Sequence, residues 1–334
     1  MQRRQFLSCL GLGMGLGAAT VAAPAVGAVP RGAETDFRFP SPRQAAAAGK
    51  WPGHRPGMIY LGLSAAGSVD SAEKTTGPVG LFRSFSHWGS ASNEAVEIRA
   101  NQAKGRLTWI SYDPPVSTSG IWAKIGSGAY DADIRARAQV YAGLSVPAIV
   151  TFSHEPQGDL QWGSPANFAA AWTRIYDVWN AETGLKNAAF VPIIGDWVFN
   201  PVNHKNGHPD EYLPSGVLSR MAFLGTDLYQ NPSGQDYSIR LARLIRFLDD
   251  RGRSDKMVGV GETACSDFYP GNASDWWKRS WQWAVAHSSR VGAISYFHSQ
   301  NNSRPGANWL LTESAAKLNA YKASLQSTVS CGLA

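Results

Sequence analysis

The chain has 334 residues, 44% hydrophobic and 17% charged, with a formal net charge of +6. That length suits one large α/β domain or two small ones, and the composition is that of a folded globular protein, not a disordered or collagen-like one. Part of the positive charge lies in Arg3 and Arg4, and no dense Lys/Arg run follows them, so neither nucleic acid nor a membrane surface is expected as a partner.

The first 28 residues read as an address. Arg3-Arg4-Gln5-Phe6-Leu7 is a twin-arginine pattern, and a Gly/Ala-rich apolar run from Leu10 to Val21 follows it. Small residues then offer cleavage after Ala25 or Ala28. So much glycine makes a poor anchor, and no second apolar span of membrane length appears. Export by a twin-arginine route is the expectation, giving a secreted, monomeric protein with no anchor after cleavage. Residues 29–55 form a polar linker or strap, and 56–334 a single catalytic domain. Cleavage leaves two cysteines, Cys265 and Cys331. In an oxidising compartment such a pair suggests a disulfide, with two separate thiols as the alternative.

Eight short apolar runs follow, each the length of a buried parallel strand: Met58–Leu63, Leu81–Phe85, Leu107–Ser111, Ala148–Phe152, Ala189–Ile194, Phe223–Asp227, Met257–Gly261 and Ala293–Phe297. Helical stretches lie between most of them, over 93–104, 131–141, 165–180, 239–250, 275–287 and 313–325. Ser164 before Pro165 is a good helix start, and Ser274 is expected to cap the helix from Asp275. Only Ser64–Gly80 shows no convincing helix. Eight strands alternating with helices predict an α/β fold of the (β/α)8 (TIM) barrel type. A doubly wound sheet is the rival, but neither G-x-G-x-x-G nor a P-loop is present.

Chemistry in such a barrel collects at the carboxyl ends of the strands. The fourth run ends in Phe152-Ser153-His154-Glu155-Pro156 and the seventh in Val260-Gly261-Glu262-Thr263. Two carboxylates thus end strands on opposite sides of the ring. Glycoside cleavage needs such a pair: one group to attack or stabilise an oxocarbenium-like centre, the other to protonate the departing oxygen. Each alone could instead be a structural carboxylate paired with a barrel arginine such as Arg83.

The stretch Phe152-Ser153-His154-Glu155, with Gly158-Asp159, Trp162-Gly163, Asn167-Phe168 and Trp172-Thr173-Arg174-Ile175-Tyr176, resembles family 26 of the glycoside hydrolases, which belongs to a large clan of retaining barrels and whose commonest activity is β-mannan cleavage. Ile125–Asp131 and Gly225-Thr226-Asp227-Leu228-Tyr229 resemble further motifs of that family. The resemblance implies that Glu155 is the general acid/base and Glu262 the nucleophile. It also implies that His154 touches the sugar at the cleavage point and that Tyr229 hydrogen-bonds the nucleophile. Leu160 stands where the family often has tryptophan, so cleavage of β-mannan in particular does not follow. Trp88, Trp162, Trp197 and Tyr296 are the expected sugar-stacking aromatics; Trp109, Tyr112 and Phe297 are further strand-end rings, and the tryptophans at 276, 277, 281 and 283 have the spacing of helix packing. The expected ligand is a polysaccharide or oligosaccharide, with no cofactor and no metal.

Other chemistries find less support. H-E-x-x-H fails because Gly158 stands at the second histidine's place, G-x-S-x-G is missing, and no spacing singles out a metal site from His87, His154 and His298. A non-catalytic carbohydrate-binding barrel would keep the aromatics and lose a carboxylate. A transglycosylase would share every residue named.

Overall fold

The computed structural model describes residues 51–65, 68–202, 206–300 and 306–333; the leader and most of the strap lie outside them. The eight expected strands all form: β1 Ile59–Ala65, β2 Leu81–Ser86, β3 Leu107–Tyr112, β4 Ala148–Phe152, β5 Ala188–Phe190, β6 Leu224–Asp227, β7 Val258–Thr263 and β8 Val291–His298. All pair in parallel, in the order β5-β4-β3-β2-β1-β8-β7-β6. A bridge between Ile193 and Gly225 joins the two ends and closes the (β/α)8 barrel.

That closure is thin for a covalent reason. Pro192 has no N–H to give a ladder, so β5 stops at Phe190 instead of running to Ile194 as the apolar run suggested. Only a few bonds cross the seam, among them Ile194 N to Gly225 O (3.1 Å) and Gly225 N to Pro192 O (2.9 Å). A Cβ on Gly225 would sit 2.7 Å from the Ile193 side chain, so only glycine lets the two strands meet.

The helices are α1 Val69–Thr76, α2 Ala91–Gln102, α3 Ile121–Gly126, α4 Asp131–Ala142, α5 Pro165–Thr183, α6 Pro209–Tyr212, α7 Ser215–Arg220, α8 Tyr237–Asp249, α9 Ala273–Ala286 and α10 Ala315–Leu325. Helix α1 occupies the segment expected to lack one. It starts at Ser68, whose hydroxyl accepts from Ser71 N, and buries only Val69, Ala72 and Thr76, too few apolar groups to read as a period. Ser164 and Asn167 form a reciprocal cap at the start of α5, which ends at a left-handed Gly184. In α9 the cap is Asn272, not Ser274, and Trp276, Trp277 and Trp281 are its packing face. Among the described residues, no helix is long and apolar enough to cross a membrane.

Two apolar layers result. One lies between strands and helices. The other fills the lower barrel with Tyr60, Leu107, Trp109, Ile149, Phe223 and Met257, plugged by Trp51 from the strap. At the same amino-terminal end, β9 (Ser330–Cys331) pairs with Ile59 and Tyr60. Cys265 instead follows β7 at the carboxyl end of the barrel. The two thiols are therefore a strand's length apart and both are free, so of the two alternatives open for Cys265 and Cys331 the structure has separate thiols and not the disulfide.

Candidate active site

Above the apolar plug, the barrel's interior positions turn polar. Counting by twos from Leu81, Arg83 points inward and is fully buried. Its guanidinium lies 3.1 Å from Asp227 Oδ1 and 3.5 Å from Glu262 Oε1, and donates to Ser111 Oγ at 3.1 Å. A buried cation survives only with such partners. Asp227 ends β6, and the ladder slips by one residue there so that it sits opposite Glu262. Burial, only partly offset by Arg83, pushes the Asp227 carboxyl up to about 7, and its Oδ2 has no hydrogen-bond partner.

Glu262 is 7% exposed at the end of β7. Its Oε2 accepts from the Tyr229 hydroxyl, and its backbone oxygen accepts from Leu228 N at 2.7 Å. Both carboxylate oxygens thus face a donor or a cation. Tyr229 packs against Phe297 and Trp309, ring centres 6.0 and 5.3 Å apart.

Glu155 enters from β4 through an unusual turn. Ser153 and Glu155 both hold left-handed backbone angles, φ 50° and 51°, which cost about 1–3 kcal/mol each for residues with a side chain. Proline after Glu155 already disfavours the right-handed helical conformation there. The turn is fixed by Glu155 N donating to Ile193 O (3.0 Å) and Ser153 N to Tyr112 O (2.9 Å). Burial above all, then the charges of Asp227 and Glu262, hold the Glu155 carboxyl well above the ordinary carboxylate range. Burial and then Arg83 push the neighbouring His154 down to about 3, so its imidazole is neutral at any ordinary pH. Its ring lies 5.3 Å from Phe85, which is 48% exposed at the end of β2.

Gly195 marks the wall beside Glu155. A Cβ there would meet Gln157 Nε2 at 2.4 Å, Trp197 Nε1 at 2.8 Å and Glu155 Oε1 at 3.2 Å. Gly195→Ala is therefore expected to destabilise the fold by about 1–3 kcal/mol, read as a lower denaturant midpoint. An unchanged midpoint would mean that Gln157 and Trp197 swing aside at no cost.

Glu155, Glu262, His154 and Tyr229 thus share one site, with Trp197 at its edge. Two expected aromatics do not. Trp162 is 2% exposed, packed edge-on against Trp122, because the chain after Glu155 folds back in short 3₁₀ turns. Tyr296 is fully buried in the outer layer, against Trp277 and Tyr321. Strand alternation turns Ala293 and Phe297 inward and Tyr296 outward, so Phe297 is the β8 ring near Tyr229. Trp88 is half-buried, its indole N–H on Asp133 and its ring against Tyr112, Tyr130 and Phe152. In sequence Arg83 is legible only as a structural partner, and Asp227, Phe85 and Gln157 carry no signal that sets them apart as site residues.

His154, Asp227 and Glu262 each bring one donor atom within 4.8 Å of the others, a spacing that could hold a cation. Arg83 already supplies a positive charge to both carboxylates of that group.

No family model matches the sequence, and no curated protein matches it. Solved structures match its fold. The catalytic domain of a GH26 endo-β-1,4-mannanase from Bacillus sp. JAMB-750 is 15% identical, covers 83% of this chain and 88% of its own, and superposes with a TM-score of 0.57. A β-mannanase from a symbiotic protist of the termite Reticulitermes speratus, complexed with gluco-manno-oligosaccharide, is 14% identical over 83% and 89%, with a TM-score of 0.54. A fungal β-1,4-galactanase is 15% identical over 80% and 99%, with a TM-score of 0.55. At such identities the likeness is one of architecture: the chain is a (β/α)8 barrel similar to those of glycoside hydrolase family 26 and related β-glycanases.

Proposed function

We propose that this protein is a retaining endo-hydrolase of a β-linked polysaccharide, with Glu262 as nucleophile and Glu155 as general acid/base. One observation carries the reading: two glutamates from opposite strands, β4 and β7, meet in unequal environments. Burial and then the neighbouring carboxylates push the Glu155 carboxyl well above the ordinary carboxylate range, while Glu262 faces Tyr229 and Arg83. That asymmetry is what double displacement requires. The fold neighbours support the substrate class, since their names record mannan, gluco-manno-oligosaccharide and galactan.

In the first step Glu262 attacks the anomeric carbon as Glu155 passes its proton to the departing glycosidic oxygen. The glycosyl group is then bound to Glu262 through an ester. In the second step Glu155, now a carboxylate, takes a proton from a water that attacks the same carbon, and Glu262 leaves. Two inversions give net retention. The neutral His154 imidazole offers a hydrogen bond to a sugar hydroxyl, and Phe85, Trp197 and Phe297 offer ring faces to pyranoses. The arginine pair of the leader supports action outside the cytoplasm, after export by the twin-arginine route.

Glu155→Ala is the direct test. Its kcat/KM on polysaccharide should fall by about 10³-fold, and by far less on aryl glycosides whose leaving groups need no proton. The wild-type kcat/KM should persist above the ordinary carboxylate range and fall as Glu155 deprotonates, and that basic limb should vanish in the variant. Equal losses on both substrates would remove Glu155 from the acid role.

A further inference from the structure

The loop that walls Glu155 and the loop that carries Tyr229 are joined by one buried side chain. Arg240, on α8, donates through Nε and Nη2 to the two oxygens of Asp196, and through Nη1 to the backbone oxygen of Tyr229. Arg240 and Asp196 have side chains only 6% and 7% exposed. Asp196 directly follows Gly195, the residue against which Glu155, Gln157 and Trp197 converge. Tyr229, on the other arm, holds the Glu262 carboxylate. These loops flank the seam where the barrel closes through one isolated bridge, between Ile193 and Gly225, and a few hydrogen bonds that end at Ile194 and Thr226, short of both loops.

We propose that Arg240 and Asp196 are a positioning pair, a bidentate clamp that keeps the wall of the acid/base and the hydrogen-bond donor of the nucleophile in fixed relation across the seam. The roles named for Glu155 and Glu262 rest on the function proposed above; the clamp itself rests on the three hydrogen bonds. A bidentate guanidinium suits the task because its fork is planar and rigid, which a lysine cannot reproduce. Docking of α8 has its own apolar basis, since Tyr237, Leu241, Leu244, Phe247 and Leu248 are buried along it. The charged groups acting on Glu155 are Asp227 from β6, Glu262 from β7, Arg83 from β2 and Asp196 from the turn after β5, and Asp196 pushes the Glu155 carboxyl up in the same sense as the other two acids.

The test uses Asp196→Asn, Arg240→Gln and Arg240→Lys in the full-length protein, with two readouts. One is the titration midpoint of the Glu155 carboxyl, followed by carbon-13 NMR and assigned with Glu155→Gln; the other is kcat on a soluble β-glycan. Asp196→Asn removes an anion and leaves a cation, so the midpoint should fall by about half a unit to one unit. Arg240→Gln leaves Asp196 uncompensated and should raise it by about as much. Arg240→Lys keeps the charge but not the fork, so the midpoint should stay within about 0.3 units of wild type while kcat falls roughly tenfold. Shifts of the same sign in the first two variants, or no shift, or wild-type kcat in Arg240→Lys, would overturn the proposal. Should Arg240→Gln fail to fold, the other two decide it. The NMR titration needs no turnover, so a wild type that cleaves no β-glycan would sink the proposed function while the clamp is still tested.

Discussion

Glu262→Ala is expected to lower kcat on any β-glycan substrate by a factor on the order of 10⁴ or more. Without the carboxylate no glycosyl ester forms, and the cavity left behind is lined by the Tyr229 hydroxyl and Arg83, both of which had faced an anion. That vacancy suits a small anion. Azide should enter it, attack the anomeric carbon once, and restore part of the activity while giving a glycosyl azide of inverted configuration. Proton NMR of the first-formed product reads both results: retention for the wild type, inversion for the rescued variant. An inverted anomer from the wild type would end the double-displacement account.

Arg83→Leu should do the largest structural damage of any single change in the site. It would leave Asp227 and Glu262 facing each other in the barrel without their shared cation, and stranding buried charge in this way costs about 3–5 kcal/mol. The deficit should depend on pH. The folded Asp227 carboxyl is already raised to about 7, by burial first, so its ionisation opposes folding, and this contribution weakens stability as pH rises from the unfolded value near 4 towards 7. Loss of Arg83 strengthens that trend. The melting temperature of Arg83→Leu should therefore approach that of wild type at pH about 5 and fall away from it by pH about 8. A deficit of equal size at both pH values would mean that the lost energy is packing, not charge.

Much of the barrel was legible because each strand is a short apolar run and parallel strands are buried on both faces. What escaped was set by single atoms or by the third dimension. Pro192 shortened β5 by withholding one N–H. Helix α1 hid because Ser71, Lys74 and Thr75 interrupt any apolar period and its hold on the barrel is slight. The two glutamates could be found from their places at strand ends, but the left-handed turn that presents Glu155 leaves no mark in sequence beyond Pro156. Tyr296 and Phe297 cannot be told apart in a strand buried on both faces; the structure, by placing Ala293 inside the barrel, makes Phe297 the inward ring and Tyr296 an outer-layer one. Nor could Trp162 be judged, since no strand or helix period runs through 156–163. The cysteine pairing rested on counting, and the register of β9 on β1 puts Cys331 at the wrong end of the barrel.

The seam at Pro192 and Gly225 makes the ring a horseshoe clasped by one isolated bridge and a few hydrogen bonds. In a barrel, any breathing concentrates where the fewest bonds resist it, and here that point lies between the strand leading to Trp197 and the strand leading to Tyr229. Widening the clasp would separate the two banks of the cleft without disturbing the other seven strand pairings. The same weakness that a proline imposes on the sheet thus leaves the spacing of the two banks to side chains, Arg240 foremost among them.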